Sequence, residues 1–61
     1  MSMTPKERKS FYLGALVNAP YLAGIVYIAR HIQSDAVLTA EDRNYLMRTA
    51  AKQYAQSAKY D

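Results

Sequence analysis

Apolar residues recur along this chain at intervals of three and four rather than in alternation, so the pattern is helical throughout and no strand is expected. The first predicted helix covers about residues 5–17. Thr4-Pro5-Lys6-Glu7 opens it, with a threonine to cap a backbone N–H, a proline suited to the first helical position and a glutamate placed to close a capping box. Tyr12, Leu13, Leu16 and Val17 share its apolar side, while Lys6 to Ser10 make a solvated beginning.

Asn18-Ala19-Pro20 then interrupts the helix. Proline lacks the N–H and disfavours helical backbone at Ala19, and Asn18 offers itself as a cap for the next helix. A second helix is predicted over about 20–33. Tyr21, Ile25, Ile28 and Ile32 form one stripe and Leu22, Val26 and Ala29 the adjacent one, with Tyr27 farther round. Such a helix is apolar on nearly every side and expects cover on nearly every side.

Residues 34–38 read as a short connection. Thr39 repeats the capping logic, and Glu41 and Asp42 face the positive end of the helix dipole. The third helix is predicted over about 40–58. Leu46, Met47, Ala50, Tyr54 and Ala58 form its apolar face, and Tyr45, Arg48, Lys52, Gln56 and Lys59 a basic and polar one.

These elements predict one all-α domain spanning residues 1–61, a small three-helix bundle or bent helical hairpin. At 61 residues the chain falls below the size, about 70 residues, at which a single core readily supplies stability. It has no cysteine, so neither disulfides nor thiolate metal sites reinforce the fold. Completion by homodimerisation answers that shortage. The expected dimer interface is Tyr21, Leu22, Ile25, Val26, Ile28 and Ala29, with the small residues Gly14, Ala15, Ala19, Ala23 and Gly24 permitting close helix approach.

Ser10 to Ala29 contains no charge and is flanked by Arg8-Lys9 and Arg30-His31, the length and flanks of a membrane span. Asn18 and Pro20 at its centre, with three tyrosines and two glycines, oppose insertion, so two buried helices account better for the same residues. A membrane-associated peptide is the third and weakest functional reading. Nothing in the sequence requires an oxidising compartment, and the cytoplasm is the expected location.

Composition sharpens this picture in two places. The chain is 51% apolar and 21% charged, too apolar for a disordered chain. Its net charge is +3, carried at the two ends, while residues 30–42 set Arg30 against Asp35, Glu41 and Asp42. Six tyrosines, at 12, 21, 27, 45, 54 and 60, are several times ordinary usage and suit half-buried rims or recognition surfaces.

Catalytic chemistry is not expected. His31 is the single imidazole, and its helical partner at i+4, Asp35, offers at most a pH-sensitive contact or a cap. Glu41 and Asp42 are adjacent and diverge on a helix, and capping already explains them. No phosphate-cradling glycine loop is present, and neither a metal nor a cofactor is expected.

Binding is the reading that remains. The leading expectation is a small non-enzymatic protein-binding or regulatory module, a helical homodimer acting on a larger, unidentified protein. Its candidate protein contacts are Phe11, Tyr12, Tyr27, Tyr45 and Arg48, since aromatic and arginine side chains carry binding energy when desolvated. The alternative is a nucleic-acid-binding regulator, with Tyr45, Arg48, Lys52 and Lys59 as candidate contacts. Against it, the 34–38 connection lacks the glycine turn common in helix-turn-helix pairs. Length and composition suit the small accessory proteins of bacteriophages and plasmids.

Overall fold

The computed structural model describes residues 2–19 and 21–59. Three helices follow one another: α1 (Pro5–Asn18), α2 (Leu22–Ser34) and α3 (Ala40–Ala58), with no strand among the described residues. All three lie within two residues of their expected bounds. Pro20, Tyr60 and Asp61, which the sequence marks as a helix break, a tyrosine and a charge, lie outside the described residues.

Local chemistry explains the starts. The Thr4 hydroxyl accepts from the Glu7 N–H at 3.2 Å, and the Glu7 carboxylate accepts from the Thr4 N–H at 3.0 Å, so the capping box is complete. The Thr4 N–H and then its hydroxyl hold the Glu7 carboxyl below its ordinary value. Thr39 caps α3 by accepting from the Asp42 N–H at 3.1 Å. The expected role of Asn18 needs correction. Its side chain turns back to the Gly14 carbonyl at 2.9 Å, and α2 begins after Tyr21 without a side-chain cap.

One buried cluster joins the helices: Leu16 from α1, Ile25 and Ile32 from α2, Leu38 from the connection, and Leu46 and Ala50 from α3. Tyr12, Leu13, Ala19, Ile28, Ala29 and Met47 pack against it. Leu38 is the surprise, because residues 34–38 read as a plain connection. Tyr54 and Ala58, assigned to the apolar face of α3, are exposed, and Tyr54 borders a hollow beside α2 rather than joining the core.

The molecule measures 38 × 21 × 15 Å between Cα extremes. That cross-section holds three helices at the usual spacing of about 8–10 Å and nothing outside them. The outward side of α2 is therefore bare within one chain: Val26 is 41% and Tyr27 66% exposed. Gly14 makes no close contact, since a Cβ there would meet nothing within 4 Å, and one at Gly24 would meet only Ala19 at 3.7 Å. No helix among the described residues is long and apolar enough to cross a membrane.

Candidate functional site

The most strongly bonded side chain among the described residues is Asp35, at the end of α2. It is buried, with its carboxylate 2% exposed. Tyr12 donates its hydroxyl to Oδ2 at 2.6 Å, Arg8 donates Nε to the same oxygen at 2.8 Å, and the Val37 N–H bonds to Oδ1 at 2.9 Å. Arg43 of α3 donates Nη2 to the Asp35 carbonyl at 2.6 Å, so both connected helices and α1 meet at this residue. The Tyr12 hydroxyl is the main cause, with Val37 and Arg8 adding to it, that holds the Asp35 carboxyl down to about 2 against its burial. Burial and the neighbouring carboxylate push the Tyr12 phenol up.

This cluster fixes Tyr12 as one wall of a cleft between α1 and α2. The cleft has a volume of about 300 Å³ and is lined by Phe11, Tyr12, Ala15, Tyr27, Ile28 and His31. Phe11 stands edge-on to Tyr12 with centroids 5.7 Å apart, and Tyr27 edge-on to His31 at 4.6 Å. His31 thus faces Tyr27, and the i+4 pairing with Asp35 does not form. Two shallower hollows continue along α2 from Tyr27: one bounded by Arg30, His31 and Ser34, the other by Ala23, Val26 and Arg30.

On the other flank of α2, an apolar hollow of about 170 Å³ lies against α3, between Val26 and Ala29 on one side and Met47, Ala51 and Tyr54 on the other. No charged residue lines it.

The five expected protein contacts therefore separate. Phe11, Tyr12 and Tyr27 come together in the α1–α2 cleft, although Tyr12 is half-buried and tied to Asp35 rather than freely presented. Tyr45 and Arg48 lie apart from it, exposed on α3, where the Lys9 ammonium sits 4.7 Å from the Tyr45 ring and 3.3 Å from Asp42. The expected nucleic-acid contacts Arg48 and Lys52 are exposed on the same helix, and Lys59 is exposed at its C-cap. The expected dimer residues also divide. Ile25 is 2% exposed and belongs to the chain's own core, so it forms part of the floor of the α2–α3 hollow rather than a freely presented interface residue, which corrects that assignment. Leu22, Ile28 and Ala29 are half-buried, and only Tyr21 and Val26 are exposed.

Sequence reasoning named Asp35 only as a partner for His31, and it missed Arg43 and Leu38. Spacing carries no signal for Asp35, whose side-chain partners Arg8 and Tyr12 lie 27 and 23 positions away. Among the described residues no group of three or more His, Cys, Asp or Glu is placed to hold a metal ion.

Fold and site together define a small all-helical protein: a three-helix bundle with an aromatic cleft on one flank of its central helix and an uncharged apolar hollow on the other. The chain matches no protein-family model, no curated protein and no solved structure.

Proposed function

We propose that the chain is a small non-enzymatic protein-binding module that acts as a helical homodimer on a larger protein. One observation carries this reading: α2 buries Ile25 and Ile32 inside the chain and still exposes Val26 and Tyr27 between an aromatic cleft and an apolar hollow, with Tyr21 exposed at its N-cap. Apolar and aromatic surface gathered in this way on so small a domain is characteristic of interaction sites. The uncharged α2–α3 hollow supports self-association, because a two-fold contact sets a surface against its own copy and brings no like charges together there. The aromatic cleft remains for the larger partner.

Two measurements test the reading. Light scattering coupled to size exclusion, in detergent-free buffer, is expected to give a species of twice the chain mass. A photo-crosslinker replacing Tyr27 is expected to capture a heavier protein in cells. A monomer removes the dimer, and the absence of any heavier adduct removes the protein-binding reading.

A second reading rests on a separate observation. Arg48 and Lys52 lie exposed on α3 and make no ion pair among the described residues, and Tyr45 is half-exposed nearby. Such a surface serves phosphate contact. It requires labelled duplex DNA to bind the chain with an affinity that falls as salt rises.

A further inference from the structure

The α1–α2 cleft and the two hollows that continue it along α2 are bounded by apolar and aromatic side chains, by Arg30 and by His31, and no carboxylate lines any of the three. Tyr27 borders all three and Arg30 two of them, so they form one continuous surface along α2. From Ala23 to Ser34 this surface runs roughly 16 Å at the helical rise, enough for about three turns of a docked helix.

The charge lining this surface has one sign. Among the described carboxylates, Glu7 is bonded to the Thr4 cap, Asp35 is buried with Arg8 and Tyr12, and Asp42 pairs with Lys9, which leaves Glu41. Glu7 lies one turn before Phe11, is bonded to the Thr4 cap and does not line the cleft. Arg30 is exposed and makes no ion pair among the described residues. A second copy seated here would set an acid-free, arginine-bearing face against itself, with nothing to neutralise either Arg30.

We infer that this surface receives an acidic amphipathic helix of another protein. Large apolar side chains at i, i+3/i+4 and i+7 enter the cleft and the hollows beyond it, and a glutamate or aspartate beside them pairs with Arg30. Grooves between two helices take such helices through anchors at that spacing. An arginine beside a desolvated aromatic surface selects a carboxylate in the bound chain. This inference rests on the protein-binding reading and names its partner's chemistry.

The test is selection of a helix-favouring random peptide library displayed on phage, with the full chain as bait. Three baits are compared: the native chain, Ala15→Trp, which fills the cleft, and Arg30→Glu. Both substitutions are at positions outside the buried core, and circular dichroism and a cooperative melt confirm that each bait is folded. The native bait is expected to enrich peptides with aromatic or leucine anchors at helical spacing beside Glu or Asp. A synthetic copy of an enriched peptide is expected to bind the Ala15→Trp chain at least about tenfold more weakly. The Arg30→Glu bait is expected to reverse the choice to Lys or Arg.

Enriched peptides without an acidic excess, or binding untouched by Ala15→Trp, overturn the acidic-helix assignment while leaving a protein-binding module in place. Failure to enrich any peptide also overturns it. The wider reading is then decided separately by the Tyr27 crosslink.

Discussion

The Tyr12 hydroxyl lies 2.6 Å from Asp35 Oδ2 and donates to it, joining the middle of α1 to the end of α2 across 23 positions of sequence. The same carboxylate holds Arg8 and the start of the α2–α3 connection through Val37. A buried carboxylate with this many donors is stabilised only while the donors stay, and the donors are left unpaired if the carboxylate goes. Asp35→Ala is therefore expected to cost about 2–4 kcal/mol, and Tyr12→Phe about 1 kcal/mol, because Arg8 and Val37 still serve Asp35. A domain of this size has only a few kcal/mol in total, so Asp35→Ala unfolds most of the population at 37 °C. Urea melts of both variants check the order. Equal costs would mean that the tyrosine, not the carboxylate, organises the junction.

The same contacts set a pH dependence. Asp35 titrates at about 2 in the folded chain against an ordinary 3.8. Its contribution to stability is complete above 3.8 and is lost as pH falls through about 2. Tyr12 acts at the opposite end of the scale. Its phenol is raised above the ordinary 10.0, so its contribution is present below 10.0 and lost as pH rises through the folded value. Thermal melts are expected to show a plateau between these limits and a steep loss on the acid side. Asp35→Asn is expected to flatten the acid limb, and an unchanged limb in that variant would assign acid unfolding to other carboxylates.

The helices were legible because their signals are local. Thr4 with Glu7 and Thr39 with Asp42 sit within one turn of each other, and the chain closes those bonds as the sequence implies. The identity of the core was also largely legible, since Leu16, Ile25, Ile32, Leu46 and Ala50 all lie on predicted apolar stripes. What periodicity does not carry is pairing between helices. Asp35 reads as a loop acid until Arg8 and Tyr12 are folded over it, and Leu38 reads as a linker residue until it closes one end of the core. Ile25 shows the same limit from the other side. An apolar residue on α2 looks equally suited to an interface and to the interior, and only the positions of α1 and α3 decide between them.

Leu46 is fully buried where α3 meets the other helices, and Thr39 is exposed at the start of the same helix. The two positions separate packing from capping. Leu46→Ala is expected to cost about 2–5 kcal/mol through lost burial and the cavity left behind. Thr39→Ala is expected to cost about 1 kcal/mol through the lost bond to the Asp42 N–H. Circular dichroism is expected to show Leu46→Ala largely unfolded and Thr39→Ala folded with a lower melting temperature. A folded, cooperative Leu46→Ala chain would mean that a second copy supplies stability the single core does not.

Gly14 offers a test that separates the single chain from its dimer. It lies inside α1 with no positive φ, and a Cβ built there meets nothing within 4 Å. Replacing glycine by alanine in such a place removes freedom from the unfolded chain and adds helix propensity, so Gly14→Ala is expected to stabilise the monomeric fold by about 0.4–1 kcal/mol. The sign depends on what approaches α1 in solution. If a second copy packs its backbone closely against Gly14, the added methyl group separates the two chains and the dimer weakens. Melting at several protein concentrations, with light scattering on the same samples, distinguishes these cases. The proposed contact at the α2–α3 hollow is remote from this requirement. It predicts a higher melting temperature for Gly14→Ala at every concentration and an unchanged dimer constant, and a concentration-dependent loss would move the self-association surface to α1.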